Sequence, residues 1–135
     1  MVTERGLLDT SAVIALDEHI DDPRLPGRVF ISAITLAELS VGPLVADSET
    51  ERADRLGLLQ HAEATIDALA FDASAARAFG RVSADLRLAG RKSSSRALDA
   101  LIAATALAHD MPLVTANARD FEGIRGLEVI DLLSD

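Results

Sequence analysis

The sequence predicts an α/β fold, a three-layer α/β/α sandwich around a mostly parallel sheet. Three observations predict it. Short, uninterrupted apolar runs alternate along the chain with longer stretches of helical periodicity. The runs lack the in–out alternation of a half-exposed strand, as expected when both sheet faces are covered. Polar or acidic residues stand directly behind several runs, where the carboxyl ends of parallel strands would gather them. The 135 residues suit a single domain, 1–135, and the 49% hydrophobic content suffices for a full core. Only 3% of the residues are aromatic, so aliphatic side chains and alanine must build that core.

The elements follow in order. Gly6, Leu7 and Leu8 form a first strand ending at Asp9. Thr10 or Ser11 then caps a helix carrying Ala12, Val13, Ile14 and Leu16. The acidic stretch 17–26, with two prolines, reads as a loop. Val29, Phe30 and Ile31 make a second strand closed by Ser32. A helix containing Thr35, Leu36, Ala37 and Glu38 follows and stops at Gly42-Pro43. Ser48 to Glu51 fits a capping box for a third helix to about Leu69, with Leu56, Leu59, Ala62, Ile66 and Leu69 at helical spacing.

Leu69 to Phe71 is the candidate third strand. Asp72 caps a fourth helix from Ala73 to about Leu88, with Ala76, Phe79, Val82 and Leu86 on one side, and Gly90 breaks it. Ser94 or Ser95 caps the next helix. Its apolar face is Leu98, Leu101, Ile102, Thr105 and Ala106, and His109, Asp110 and Pro112 end it. Leu113 and Val114 open a fourth strand, with Thr115, Asn117 and Asp120 behind it. Leu127 to Ile130 gives a fifth.

Composition excludes several classes. There is no cysteine, which rules out a disulfide framework and zinc–thiolate sites and suits the cytoplasm. No apolar run approaches the roughly 20 residues of a membrane span, and the N-terminus lacks a signal-peptide core, so neither membrane nor export is expected. The net charge of −9 denies the chain a general basic field for nucleic acid. The acids either solvate the surface or cluster to hold a cation, and their placement favours the cluster.

Asp9 follows the first strand, Glu38 lies early in the helix after the second, and Asp99 lies early in the helix before the fourth. In a parallel fold all three reach one sheet edge, and Asp120 or Asn117 can join them. Each has an ordinary reading: a capping box with Thr35 for Glu38, the helix dipole for Asp99, turns for Asp9 and Asp120. As a set they would repel one another, and a divalent cation removes that cost. Oxygen ligands select Mg²⁺ or Mn²⁺, which suits phosphodiester hydrolysis by metal-activated water.

Arg87, Arg91, Lys92 and Arg96 form a local basic cluster that could position phosphate. Ser11 and Thr115 are placed to support the acids by hydrogen bonds. The scarcity of aromatic residues argues against recognition by base stacking. His19, His61 and His109 fall in no ligand pattern. A phospho-receiver, or a catalytically silent acidic binding domain, is the alternative that composition leaves open.

Four segments together resemble a known family. LLDTSAVIAL around Asp9, ITLAELSVG around Glu38, RALDALIAATAL around Asp99 and PLVTANARDF around Asn117 and Asp120 are similar, in order and spacing, to a PIN domain, and specifically to VapC-type toxin ribonucleases of bacterial toxin–antitoxin pairs. The resemblance implies an α/β/α sandwich and a Mg²⁺-dependent endoribonuclease cutting structured RNA such as tRNA or rRNA. It implies that Asp9 and Asp99 are the principal metal ligands and that Glu38 completes the pocket. The family's fourth acidic position falls on an amide, Asn117, with Asp120 three residues on. It further implies a cognate VapB-like antitoxin, a homodimer, and a heterotetramer or larger assembly with that antitoxin.

Overall fold

A computed structural model describes residues 4–91 and 96–134. Its sheet is five-stranded and wholly parallel, in the order β3-β2-β1-β4-β5. The strands are β1 (Arg5–Leu8), β2 (Arg28–Ser32), β3 (Asp67–Leu69), β4 (Leu113–Thr115) and β5 (Val129–Asp131). The helices are α1 (Thr10–Ala15), α2 (Ala33–Val41), α3 (Glu49–Thr65), α4 (Ala73–Leu88) and α5 (Ala97–Ala108), with short 3₁₀ turns at Leu16–His19, Gly42–Val45 and Ala118–Phe121.

Strand periodicity sorts the core into two halves. Leu7, Phe30 and Leu113 face a cluster with Val82 and Leu86 of α4 and Ala100, Ile102 and Ala103 of α5. Their neighbours Leu8, Ile31 and Val114 face a second cluster with Val13 of α1, Leu39 of α2 and Ala62 of α3. The sheet is therefore the middle layer, as expected. Alanines at 100, 103, 104 and 106 are buried and let α5 lie close to the sheet. Gly6 permits another close approach, because a Cβ there would sit 2.4 Å from Cγ of Pro26.

β1 lies at the centre of the sheet. The chain builds outward from it through β2 to β3, then returns to add β4 and β5 on the other side. The crevice between the carboxyl ends of β1 and β4 is thus the topological switch point, where α/β sheets bind ligands.

Some boundaries differ from the sequence expectation. The third strand is Asp67–Leu69, two residues before Leu69–Phe71, and α3 ends at Thr65. Ile66 leaves the helix in extended conformation with its side chain buried, which puts the next three residues alongside Phe30–Ser32. As an edge strand, β3 tolerates Asp67, which pairs with Arg28. The fifth strand is Val129–Asp131 rather than Leu127–Ile130; Leu127 packs on the core from the preceding loop. Leu98 is 50% exposed, so the buried face of α5 starts at Ala100. On α4 the buried alanines are Ala75 and Ala78, while Ala76 is exposed.

Capping follows the sequence closely. Ser48 accepts from Glu51 N, and Asp72 accepts from Ala75 N. Gly90 takes φ 77°, as a helix-ending glycine does. The expected Ser94 or Ser95 cap lies outside the described residues, and Arg96 stands at the N-cap of α5 without a side-chain capping bond. Among the described residues no helix is long and apolar enough to cross a membrane.

Candidate active site

Asp9 is the buried anchor of the crevice. It leaves β1 with 5% of its surface exposed, and it is itself the N-cap of α1, in place of the expected Thr10 or Ser11. Oδ1 accepts from Ala12 N at 2.8 Å and from the Ser11 hydroxyl at 2.7 Å. Oδ2 accepts from the Thr115 hydroxyl at 2.5 Å. Ser11 also accepts from Ala116 N at 2.9 Å, and Thr115 from Asn117 N at 2.9 Å. Both residues thus hydrogen-bond the acid, and they tie α1 to the end of β4. Burial pushes the Asp9 carboxyl above the ordinary range, against the lowering effect of those hydrogen bonds, and the charge of Asp120 adds to the rise.

Glu38 reaches the same edge from α2. It forms no capping box with Thr35. Ser32 caps α2 by accepting from Thr35 N at 3.0 Å, which leaves Glu38 in the second turn. There its Oε1 accepts from the Thr10 hydroxyl at 2.6 Å. Sequence reasoning treated Thr10 only as a candidate cap. Its signal was the Asp-Thr-Ser order behind a strand, which aims three consecutive polar side chains at the strand end.

Asp99 lies in the first turn of α5, half-buried. Its pKa is pushed up to about 6, chiefly by burial and then by Asp120, with Asp9 and Glu38 raising it further and Arg96 opposing them. Asp99 thus lies within the fields of Asp9, Glu38 and Asp120. Asp120, on the Ala118–Phe121 turn, accepts from Arg96 Nη1 at 2.5 Å, and the same nitrogen is 3.7 Å from Asp99 Oδ2. Asn117 is exposed at the N-cap of that turn, and its side chain makes no capping bond.

The basic cluster divides. Arg96 enters the pocket. Arg91 donates to the Glu122 carbonyl at 3.0 Å. Arg87 is exposed and lines a surface hollow with Gly80, Ser83, Ala84 and Leu88. Lys92 lies outside the described residues. The three histidines play no part in the contacts of the pocket. Asp72 is engaged as the cap of α4, accepting from Ala75 N.

The donor set suits a hard cation. Every candidate donor is an oxygen, and the mutual repulsion that helps burial raise the Asp9 and Asp99 carboxyls is one a cation would relieve. Among the described residues no three His, Cys, Asp or Glu side chains are drawn close enough to hold an ion between them. Mg²⁺ does not require that, since it binds through one or two carboxylates and keeps its waters.

The model of the PIN domain family matches residues 6–127. Ribonuclease VapC5 of Mycobacterium tuberculosis is 35% identical over 130 residues, covering 95% of this chain and 93% of that protein. The tRNA(fMet)-specific endonuclease VapC of Shigella flexneri is 33% identical over 105 residues, covering 78% of this chain and 76% of that protein. Among solved structures, a member of the VapBC family of toxin–antitoxin systems, VapBC-5 from Mycobacterium tuberculosis, superposes with a TM-score of 0.79 at 36% identity, covering 95% of this chain and 98% of that one.

Proposed function

The chain belongs to the PIN-domain family, and from that premise we propose that it is the VapC-like toxin of a toxin–antitoxin pair, an endoribonuclease that hydrolyses phosphodiester bonds in structured RNA. The observation that carries this reading is the crevice at the ends of β1 and β4. There a buried Asp9 is held by three hydrogen bonds and Asp99 is exposed to the fields of Asp9, Glu38 and Asp120. The similarity to VapC ribonucleases supports the substrate class, and the tRNA(fMet)-specific relative supports tRNA as the RNA to test first, with rRNA as the next. Residues 1–135 are taken as one ribonuclease domain, which the match over 6–127 supports.

Mg²⁺, with Mn²⁺ as a substitute, is the proposed cofactor; when bound it activates water and stabilises charge on the phosphate and the leaving oxygen. Asp9 and Asp99 would hold it, with Glu38 completing the pocket. Asp9 suits the role because Thr115, Ser11 and the backbone of α1 fix both its oxygens before any ion arrives. Glu38 is fixed in turn by Thr10. Asp120 fills the family's fourth acidic position, since it contributes to the rise of both Asp9 and Asp99, while Asn117 is exposed beside it. Arg96 is the basic residue best placed to meet a scissile phosphate. Arg87, Arg91 and Lys92 lie farther along the RNA path in this reading.

The proposed partner is a VapB-like antitoxin, with the toxin as a homodimer and the complex a heterotetramer or larger; the likeness to a VapBC toxin–antitoxin structure supports this. A cytoplasmic location follows from the RNA substrate.

The test is RNA cleavage by the purified protein with Mg²⁺ or Mn²⁺, and growth arrest on induction. Asp9→Asn and Asp99→Asn are expected to abolish both while the protein stays folded. Absence of any RNA cleavage, with both variants as toxic as the wild type, overturns the reading. Sequencing RNA ends after induction identifies the cut site.

A further inference from the structure

We propose that Arg96 competes with the divalent cation for Asp99, and that the cation's arrival releases Arg96 from Asp99, so that it turns its unengaged N–H groups to the RNA phosphate. The inference rests on the nuclease reading above and assigns one residue a double role within it.

The placement carries the argument. Arg96 stands at the N-cap of α5, three residues before Asp99, so its side chain lies over that carboxylate. Asp120 comes from a different element, the turn after β4, and meets the same nitrogen at 2.5 Å. Arg96 therefore bridges the two acids that approach the crevice from its open side. It does so part-buried, with 32% of its side chain exposed against 29% for each acid. A pair at that depth is screened less than a surface pair.

The contacts are unequal, and this gives the device a direction. The bond to Asp120 is short, whereas the approach to Asp99 is 3.7 Å and purely electrostatic. A cation recruiting Asp99 breaks only the weaker contact, and Arg96 pivots on Asp120. Among the described residues, only Nη1 of its nitrogens is engaged. The remaining N–H groups of the planar fork match two phosphate oxygens, which a lysine could meet only as a point charge. The positive charge thus lowers metal affinity and raises RNA affinity.

The test titrates Mn²⁺ alone into the full-length protein, read by calorimetry. It compares wild type with Arg96→Gln, Arg96→Lys and Arg52→Gln, the last removing a positive charge on α3 that pairs with Glu49 instead of the pocket acids. Arg96→Gln is expected to bind Mn²⁺ about 3- to 30-fold tighter, since a positive charge a few ångströms away no longer opposes the ion. Arg96→Lys stays within about twofold of wild type because the charge remains, and Arg52→Gln is unchanged because that charge is exposed, screened by salt and paired with Glu49. At saturating Mn²⁺, Arg96→Gln raises KM for RNA by about tenfold through the lost phosphate contact, and Arg96→Lys recovers only part of it.

Equal or weaker Mn²⁺ binding by Arg96→Gln, or an unchanged KM, overturns the proposal. The failure of the nuclease reading looks different. In that case wild type binds Mn²⁺ no better than the Asp9→Asn/Asp99→Asn double variant and cleaves no RNA.

Discussion

The Thr115 hydroxyl donates to Asp9 Oδ2 at 2.5 Å across 106 positions of sequence, joining the carboxyl ends of two neighbouring strands at the centre of the crevice. Both residues are buried, and the same hydroxyl oxygen accepts from Asn117 N. Thr115→Val keeps the shape and removes both interactions, together with the 3.2 Å hydrogen bond between the Thr115 and Ser11 hydroxyls. The variant leaves a buried carboxylate short of a donor and a backbone N–H short of an acceptor, a loss of about 1–3 kcal/mol in urea denaturation. With that lowering influence gone, the Asp9 carboxyl rises further, so the loss of Mn²⁺ affinity grows as pH falls.

Asp99→Asn is expected to stabilise the metal-free protein while abolishing cleavage. The folded pKa of Asp99 is about 6, above the roughly 3.9 of an unfolded aspartate. A carboxyl raised in this way is penalised once it ionises: the folded chain loses stability as pH climbs from about 4 to about 6 and stays penalised above. The two-unit difference corresponds to about 3 kcal/mol. The carboxylate keeps nearly a third of its side-chain surface in water, which reduces the expected gain to about 1–2 kcal/mol. Urea midpoints at pH 4 and pH 7.5 check it, with no gain at the lower pH. Added Mg²⁺ should raise Tm for wild type and leave the variant unmoved.

Asp85 behaves with the opposite sign. It is 7% exposed on α4 and accepts from both N and Nε of Arg125, at 3.1 and 3.0 Å, which fastens the approach to β5. Those hydrogen bonds and the guanidinium hold its carboxyl below the usual range. Such a group stabilises above its unfolded pKa and loses that contribution as pH falls through its folded value. Asp85→Asn is expected to lower the urea midpoint at pH 7, with the gap to wild type closing toward pH 3.

The architecture was legible because its signals are redundant. Leu7–Leu8, Phe30–Ile31 and Leu113–Val114 are apolar on both faces, which only a covered parallel strand needs, and Ser48 and Asp72 cap the helices where they stand. β3 was misplaced by two residues because an edge strand needs no apolar run, and its position is set by pairing with Phe30–Ser32. The candidate acids were legible from position: Asp9 and Asp120 stand behind strands, and Glu38 and Asp99 lie early in helices. What was not legible is who holds them. The bond from Thr10 to Glu38 spans 28 positions and the one from Arg96 to Asp120 spans 24. No local pattern encodes a contact between side chains that meet only after the sheet assembles.

The Thr10–Glu38 contact yields the last prediction. Thr10 opens α1 and Glu38 lies in α2, so the 2.6 Å bond fixes a part-exposed side chain from a neighbouring helix. A glutamate has three rotatable bonds and leaves the pocket easily unless something holds it. Thr10→Val preserves the methyl packing and withdraws the only proton that the hydroxyl can give. The stability cost should stay near 1 kcal/mol, because Glu38 is half-exposed and water can replace the donor. Function should suffer more than stability: residues that orient metal-binding carboxylates typically carry 10- to 100-fold in metal affinity or activity, so a loss of about tenfold in RNA cleavage at limiting Mg²⁺ is expected. Thr10→Ser restores the donor and should restore cleavage. Serine failing to rescue, or valine cleaving like wild type at limiting Mg²⁺, would show that Glu38 needs no holder.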